Sequence, residues 1–180
     1  GTDHSLLGLV KVDGKLYRFM GNTEAKYQTV LPAADEQAYE TVYTEDEPAT
    51  GWMQPDFSEV GWKKGAGAFG DDQKEAKTYW KSNNLWVRRT FDLASTDFKN
   101  MVLKLHHDDN IEVYLNGERI YEHKGWTSKY VYIPLKNAGA LRKGKNVLAI
   151  HVANTAGGQW LDAGLVNRVE ENIDIPVAKQ

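Results

Sequence analysis

Apolar residues recur with a period of two along most of this chain, the spacing that places alternate side chains on one face of a β-strand. In "NMVLKLHH" (100–107), Met101, Leu103 and Leu105 oppose Asn100, Lys104 and His106. "IEVYLNGERIYEH" (111–123) sets Ile111, Val113 and Leu115 on one face and then reaches Asn116-Gly117, a pair that tolerates the positive φ of a two-residue hairpin turn. "LLGLVKVDGKLYRFMG" (6–21) reads as a second hairpin around Asp13-Gly14. Shorter strands are expected at 38–45, 85–93, 129–135, 146–152 and 161–170. Long 3.6-periodic segments are missing. One helical turn is expected within 137–146 and another at 55–60, while 52–84, with its Gly, Pro and charge, reads as a long decorated connection. Many strands with turns and no intervening helices predict an all-β chain folded as an antiparallel sandwich or barrel.

One strand constrains the packing. In "NVLAIHV" (146–152), Leu148, Ile150 and Val152 share one face, but Val147 and Ala149 keep the opposite face apolar as well. A strand apolar on both sides is covered on both sides. The N-terminal hairpin is the expected cover, packed over the outside of that sheet.

Composition narrows the function. A chain of 180 residues is about one domain. Its net charge is -3 with Lys and Arg scattered, so no basic stripe exists to neutralise a phosphate backbone, and nucleic acid is not an expected partner. No apolar run is long enough for membrane insertion. With no cysteine there is neither a disulfide nor a thiolate metal site. Gly1 reads as the scar of an excised fragment, with no apolar leader behind it, and 171–180 as a tail running into a linker.

The chemistry-bearing stretch is "HHDD", His106, His107, Asp108 and Asp109. Alternation directs His107 and Asp109 towards the core and His106 and Asp108 away, so the four do not converge on one ion unless the strand ends or bulges there. Three readings stand: a polar strand end that hydrogen-bonds loop backbone, a calcium site using Asp108 and Asp109 with the neighbouring Asn110 oxygen, or a metal-dependent hydrolase using these carboxylates. Zinc lacks a linking motif among His106, His107, His123 and His151. Two facing glycosidase carboxylates, Asp108 or Asp109 with Asp162 or Glu112, arise by chance among 25 acidic residues. No nucleophile elbow or phosphate loop is present, and "GAGAFG" (65–70) reads as a tight turn. The six tryptophans are more informative. An indole stacks on the apolar face of a sugar while neighbouring polar groups bind its hydroxyls. Trp52 and Trp62 read as core plugs; Trp126 in "KGWTSKY" and Trp160 in "NTAGGQWLD" are the candidates for ligand contact.

Taken in order, "GWMQPDFSEVGWKKGAGAFG", "LWVRRTFDL", "VLKLHHDDNIEVYLNGERIYEHKGWTSKYVYIPL" and "LRKGKNVLAIHVANTAGGQWLDAGL" resemble the sugar-binding domain of the β-galactosidase and β-glucuronidase family, a galactose-binding-like jelly-roll module, over about residues 50–165. "HHDDNIEVYLNG" with "ANTAGGQWLDAGL", and the N-terminal segment, are similar to the version carried near the N-terminus of exported bacterial glutaminase-like proteins. The resemblance implies a jelly-roll β-sandwich over 46–170, preceded by a hairpin and strand extension over 1–45 and followed by the tail 171–180. It implies ligand loops at one end of the sandwich and, in some members, a structural calcium. The motif positions in this chain are His106, His107, Asp108, Asp109, Trp126, Asn154, Gln159, Trp160 and Asp162.

The expectation is therefore a non-catalytic accessory module of an exported bacterial enzyme, periplasmic or at the cell surface, carbohydrate-active or glutaminase-like. Its partners would be a carbohydrate or the catalytic domain of its parent; the alternatives are a spacer without ligand and the metal-dependent hydrolase. Because residues 1–35 are expected to cover apolar sheet surface, their deletion should lower the melting temperature of the remainder, measured by circular dichroism.

Overall fold

The computed structural model describes residues 6–12, 15–20, 25–136 and 138–170. It contains fourteen strands among these residues: β1 (Leu6–Val12), β2 (Lys15–Met20), β3 (Ala25–Leu31), β4 (Glu40–Thr44), β5 (Lys63–Ala66), β6 (Phe69–Gly70), β7 (Thr78–Tyr79), β8 (Asn84–Leu93), β9 (Met101–Asp108), β10 (Asn110–Leu115), β11 (Glu118–His123), β12 (Val131–Pro134), β13 (Gly144–Ala153) and β14 (Trp160–Glu170). A 3₁₀ turn spans Ala138–Ala140, inside the stretch where a helical turn was expected. Residues 55–60 form turns without a helix.

The chain divides into two compact units, 1–28 with 168–180, and 29–167. In the first, β1 and β2 form an antiparallel hairpin with Val10 opposite Tyr17 and Val12 opposite Lys15. Its expected turn, Asp13-Gly14, lies outside the described residues, as does the tail 171–180.

The second unit is a β-sandwich. One sheet has the order β11-β10-β13-β8-β4-β5, the other β12-β9-β14-β6-β7, with β3 pairing with β14. All pairs with a defined register are antiparallel except β6 with β7. From β8 onwards nearly every connection crosses between the sheets, the winding of a jelly roll; the β10–β11 hairpin is the exception. Its turn has φ of 51° at Asn116 and 88° at Gly117, the two positive angles for which Asn-Gly is suited.

Alternation fills the interior. Met101, Leu103 and Leu105 of β9 meet Leu148, Ile150 and Val152 of β13 in the main core, with Leu85 and Val87 from β8. The two-sided apolarity of β13 has a direct explanation, because Val147 and Ala149 form a second cluster on the outer face with Trp86 and Trp52. Met53, Phe57 and Trp62 pack against it, so the connection after β4 supplies the cover that the sequence assigned to the N-terminal hairpin. β4 itself, within the stretch read as an extension, is an interior strand lying between β8 and β5.

The end of the sandwich at the β10–β11 turn is locked by amides. Asn116 donates to Asn146 Oδ1 at 2.8 Å and to Ala140 O at 2.7 Å, and accepts from Val147 N at 2.9 Å. The fully buried Asn146 donates in turn to Arg142 O and Gly144 O.

At Gly164 the chain leading from β3 passes close over β14. A Cβ there would lie 2.5 Å from Leu31 O and 2.8 Å from Ala33 N, both backbone atoms unable to swing aside. Gly164→Ala should destabilise the protein by about 1–3 kcal/mol through overpacking, read by urea denaturation.

Candidate functional site

The strand ends opposite the amide lock gather the residues singled out in the sequence. β9 and β14 pair with Trp160 opposite Asp108, Leu161 opposite His107 and Asp162 opposite His106. Alternation splits the two histidines as expected, His107 buried and His106 half-buried on the other side, but at the end of β9 the half-buried Asp108 side chain hydrogen-bonds the buried Asp109.

His107 and Asp109 hold loops. His107 Nδ1 lies 2.6 Å from Asp109 O; a carbonyl only accepts, so Nδ1 carries the proton and Nε2 is left buried without a partner. Burial lowers the His107 pKa, opposed by that backbone bond. The main chain of His107 accepts from Thr127 N at 2.8 Å, and its N–H donates to Thr127 Oγ1 at 3.1 Å. Asp109 Oδ2 accepts from Thr155 N, Thr155 Oγ1 and Ala156 N, at 2.9, 2.9 and 3.2 Å. Burial would raise the Asp109 pKa, but these donors and a hydrogen bond from Asp108 bring it below the ordinary carboxylate value.

Asp108 bears the opposite shift. Burial, the hydrogen bond to Asp109, and the charges of Asp109 and Asp71 push it up to about 6. Asp71 is itself held low: burial is outweighed by Gln159 N at 3.2 Å and Lys81 Nζ at 3.1 Å. Gln159, nearly fully buried, donates to Ser82 O at 2.8 Å, and the neighbouring Asn154 amide nitrogen donates to Asp109 Oδ2 at 3.1 Å. Gln159 thus ties the 154–159 loop to the 80–83 turn, and Asn154 ties it to Asp109.

Asp162 is fully buried under the chain that follows β3. Its carboxylate accepts from Ala34 N at 2.9 Å, Tyr39 Oη at 2.8 Å, Tyr130 Oη and Ala163 N at 3.0 Å. Burial raises the phenol pKa of both Tyr39 and Tyr130, and the Asp162 carboxylate adds to it. Trp160 is half-buried; its ring packs 5.6 Å from that of His106, which also meets Tyr130 edge-on at 5.5 Å, and its Nε1 is buried without a partner. Burial lowers the His106 pKa, with Asp162 opposing.

Trp126 stands apart. It is 62% exposed, on the loop between β11 and β12. That loop is pinned on both sides of the indole, by Gly125 N donating to Asn110 Oδ1 at 2.8 Å and by the Thr127–His107 bonds.

The structure therefore brings together His107, Asp109, Asn154 and Gln159 as loop supports, places Asp108 beside Asp71 and Asp109, and separates Asp162 into a buried network. Among the described residues no three His, Asp or Glu side chains converge in a metal-binding arrangement. Sequence reasoning took Asn110 only as a calcium oxygen and missed Thr127, Tyr39, Tyr130 and Asp71. Only Asn110, adjoining the "HHDD" stretch, carried a local signal; the others arrive from distant segments.

A jelly-roll sandwich of this kind is a fold that the chain shares with a segment of bacterial glycoside hydrolases of family 2. The Bacteroides uniformis β-glucuronidase 2, covalently bound to cyclophellitol-6-carboxylate aziridine, superposes with a TM-score of 0.53 at 19% identity, over 78% of this chain and 18% of that one. A family 2 member from Bacteroides cellulosilyticus gives 0.57 at 14% identity over 81% and 21%, and the Bifidobacterium dentium β-glucuronidase with coumarin-3-O-glucuronide gives 0.52 at 20% over 77% and 22%. The chain thus spans about a fifth of the length of these structures. No family model and no curated protein matches the sequence. The sugar-binding-domain resemblance is carried into three dimensions at the level of the fold.

Asp108 supplies a test of the carboxylate cluster. Its pKa is raised from 3.8 to about 6, so the folded state holds this proton more tightly than the unfolded chain. Stability is then lost as pH rises from about 4 to about 6 and stays lost above. Asp108→Asn should raise the melting temperature at neutral pH, with the gain over wild type vanishing below about pH 4; thermal melts across that range read it.

Proposed function

We propose that this chain is a non-catalytic module of an exported bacterial glycoside hydrolase and that it binds carbohydrate through the loop end of the sandwich. The observation that carries this reading is Trp126, a largely exposed indole on a loop hydrogen-bonded on both sides of it. An exposed large aromatic on a fixed loop offers stacking area with little conformational entropy to lose on binding. The fold similarity to a segment of β-glucuronidases supports a place within a glycoside hydrolase.

In this reading the "HHDD" stretch acts indirectly. His107 and the neighbouring Asn110 hold the Trp126 loop, and Asp109 holds the 154–156 turn beside it. Asp162 is a buried brace, and Trp160 contributes its packing against His106 rather than an open face. A glycan array followed by calorimetric titration tests the assignment. Wild type should bind at least one oligosaccharide, and Trp126→Ala should weaken it about tenfold or more without changing the melting temperature. Unchanged affinity in that variant, or no binding to any glycan, overturns the reading.

A further inference from the structure

The side of the sandwich formed by β11 and β12 is open. β11 ends the order of the first sheet and β12 that of the second, and among the described residues no strand pairs with the outer edge of β11. A groove of about 430 Å³ lies between them, its lining including Ile120, Tyr121, Ile133 and Pro134. Ile120, Tyr121 and Ile133 also pack against the main core. Core side chains thus reach the surface here beside a row of outward backbone donors and acceptors, the arrangement that accepts a further strand.

The other strands that end these sheets are poor templates. β5 carries Lys63 and Lys64, β7 has two residues, and β12 closes on Pro134, which has no N–H to give. β11, "ERIYEH", has six residues with neither lysine nor proline.

A bulge decides what can pair with it. Against β10, His123 lies opposite Ile111, Glu122 opposite Glu112 and Tyr121 opposite Val113, but Arg119 then lies opposite Tyr114, so Ile120 is the extra residue. Glu112 and Tyr114 are the outward positions of β10. Arg119 and Glu122 therefore share the outer face, where they pair at 3.2 Å. In an unbulged strand, residues three apart fall on opposite faces.

That shared face makes the edge complementary to itself. A two-fold axis normal to the sheet keeps every side chain on its own face, so antiparallel pairing of two copies sets same-face residues opposite each other. Centred between Ile120 and Tyr121, this pairing brings Arg119 of each copy opposite Glu122 of the other on the outer face. On the inner face, where the β10 partners are Leu115 and Ile111, it brings Glu118 opposite His123. No like charges stand directly opposite, and the apolar Ile120 and Tyr121 lie at the axis.

We infer that the occupant of this edge is a second copy of this chain, which adds its β11 antiparallel to the first and joins the two sheets into one. The interface is short, so the dimer is of the transient kind. Its ion pairs replace the contacts of Arg119 with Glu122 and Glu112 within each chain, which lie between exposed side chains and hold little energy. The inference is independent of the carbohydrate reading, since it uses neither Trp126 nor the residues that pin its loop.

Sedimentation velocity of the intact chain from about 1 µM to about 1 mM tests it. Wild type should pass from monomer to dimer over that range. Arg119→Glu sets carboxylate against carboxylate at both sites and Glu122→Arg sets guanidinium against guanidinium, so each variant alone should associate about tenfold more weakly or worse. An equimolar mixture of the two variants restores opposite charges at both sites. It should dimerise again, with one copy of each variant per dimer by native mass spectrometry. Circular dichroism melts check that each variant is folded; should a reversal unfold the chain, Arg119→Gln takes its place and should weaken association about threefold or more. Wild type that stays monomeric to about 1 mM overturns the inference. So does a charge-reversed variant that dimerises as tightly as wild type, a mixture of folded variants that stays monomeric, or undiminished association in Arg119→Gln.

Discussion

Two neighbouring arginines on β8 organise the sandwich. Strand alternation sends Arg88 outward and Arg89 inward, and both are almost fully buried. A guanidinium has five donors and stays charged, so each must gather acceptors around it or leave the interior. Arg88 takes the carbonyls of Trp52 and Gln54 at 2.5 and 2.8 Å and the carboxylate of Glu59 at 2.8 Å. That fixes the 52–59 connection over the outer face, where Trp52 and Phe57 then seal Val147 and Ala149. Arg89 takes Pro32 O and Ala163 O at 2.8 and 2.6 Å and lies 3.4 Å over the ring of Tyr39. Tyr39 in turn donates to Asp162, so the inward arginine and the buried carboxylate balance each other across one phenol. One strand therefore clamps a cover onto each side of the molecule, and losing one partner of a buried charge pair costs about 3 kcal/mol or more.

The Trp126 end of the sandwich inherits its rigidity from this frame. β14 is held where Arg89 meets Ala163, and its first residues set the position of the 154–159 loop that Asp109 caps. Buried Lys104, paired with Asp35 and Glu36, secures the chain after β3 on the same side. The polar residues at the strand ends serve less as reagents than as anchors for backbone that would otherwise lie unsatisfied. Asp108 is the exception, a carboxylate kept close to two others at the cost of its own ionisation.

Much of this was legible from residue order. Period-two patterning located the long strands β8, β9, β10, β13 and β14, because each has enough residues to show both faces. Asn116-Gly117 announced its turn through backbone sterics alone. The split of His106 from His107 followed from the pleat, whereas Asp108 and Asp109, where β9 ends, hydrogen-bond each other. β6 and β7, two residues each, are too short to carry a period, and β3 gives little contrast with so many polar positions. A hairpin looks like a lid, whereas the cover found over Val147 is a connection. Residues 52–62 look like a loop, and only the arginine beneath them shows why they settle. At the site, the supporting role of Asn110 adjoined a visible motif. Tyr39, Tyr130 and Asp71 come from places 32 to 123 residues away from their partners, where no local pattern reaches.

The two ends of the sandwich are built on different logics. At the β10–β11 turn, Asn116 and Asn146 bond each other and the surrounding backbone, so strand register is set there by side chains that allow no substitute of different shape. At the other end, each loop hangs from one or two anchors, Asn110 and His107 for the Trp126 loop, Asp109 for the 154–156 turn. Register is thereby decoupled from loop content. Loops of new length or composition can be grafted between the same anchors without disturbing strand pairing, so one end of the sandwich is free to change while its architecture stays put.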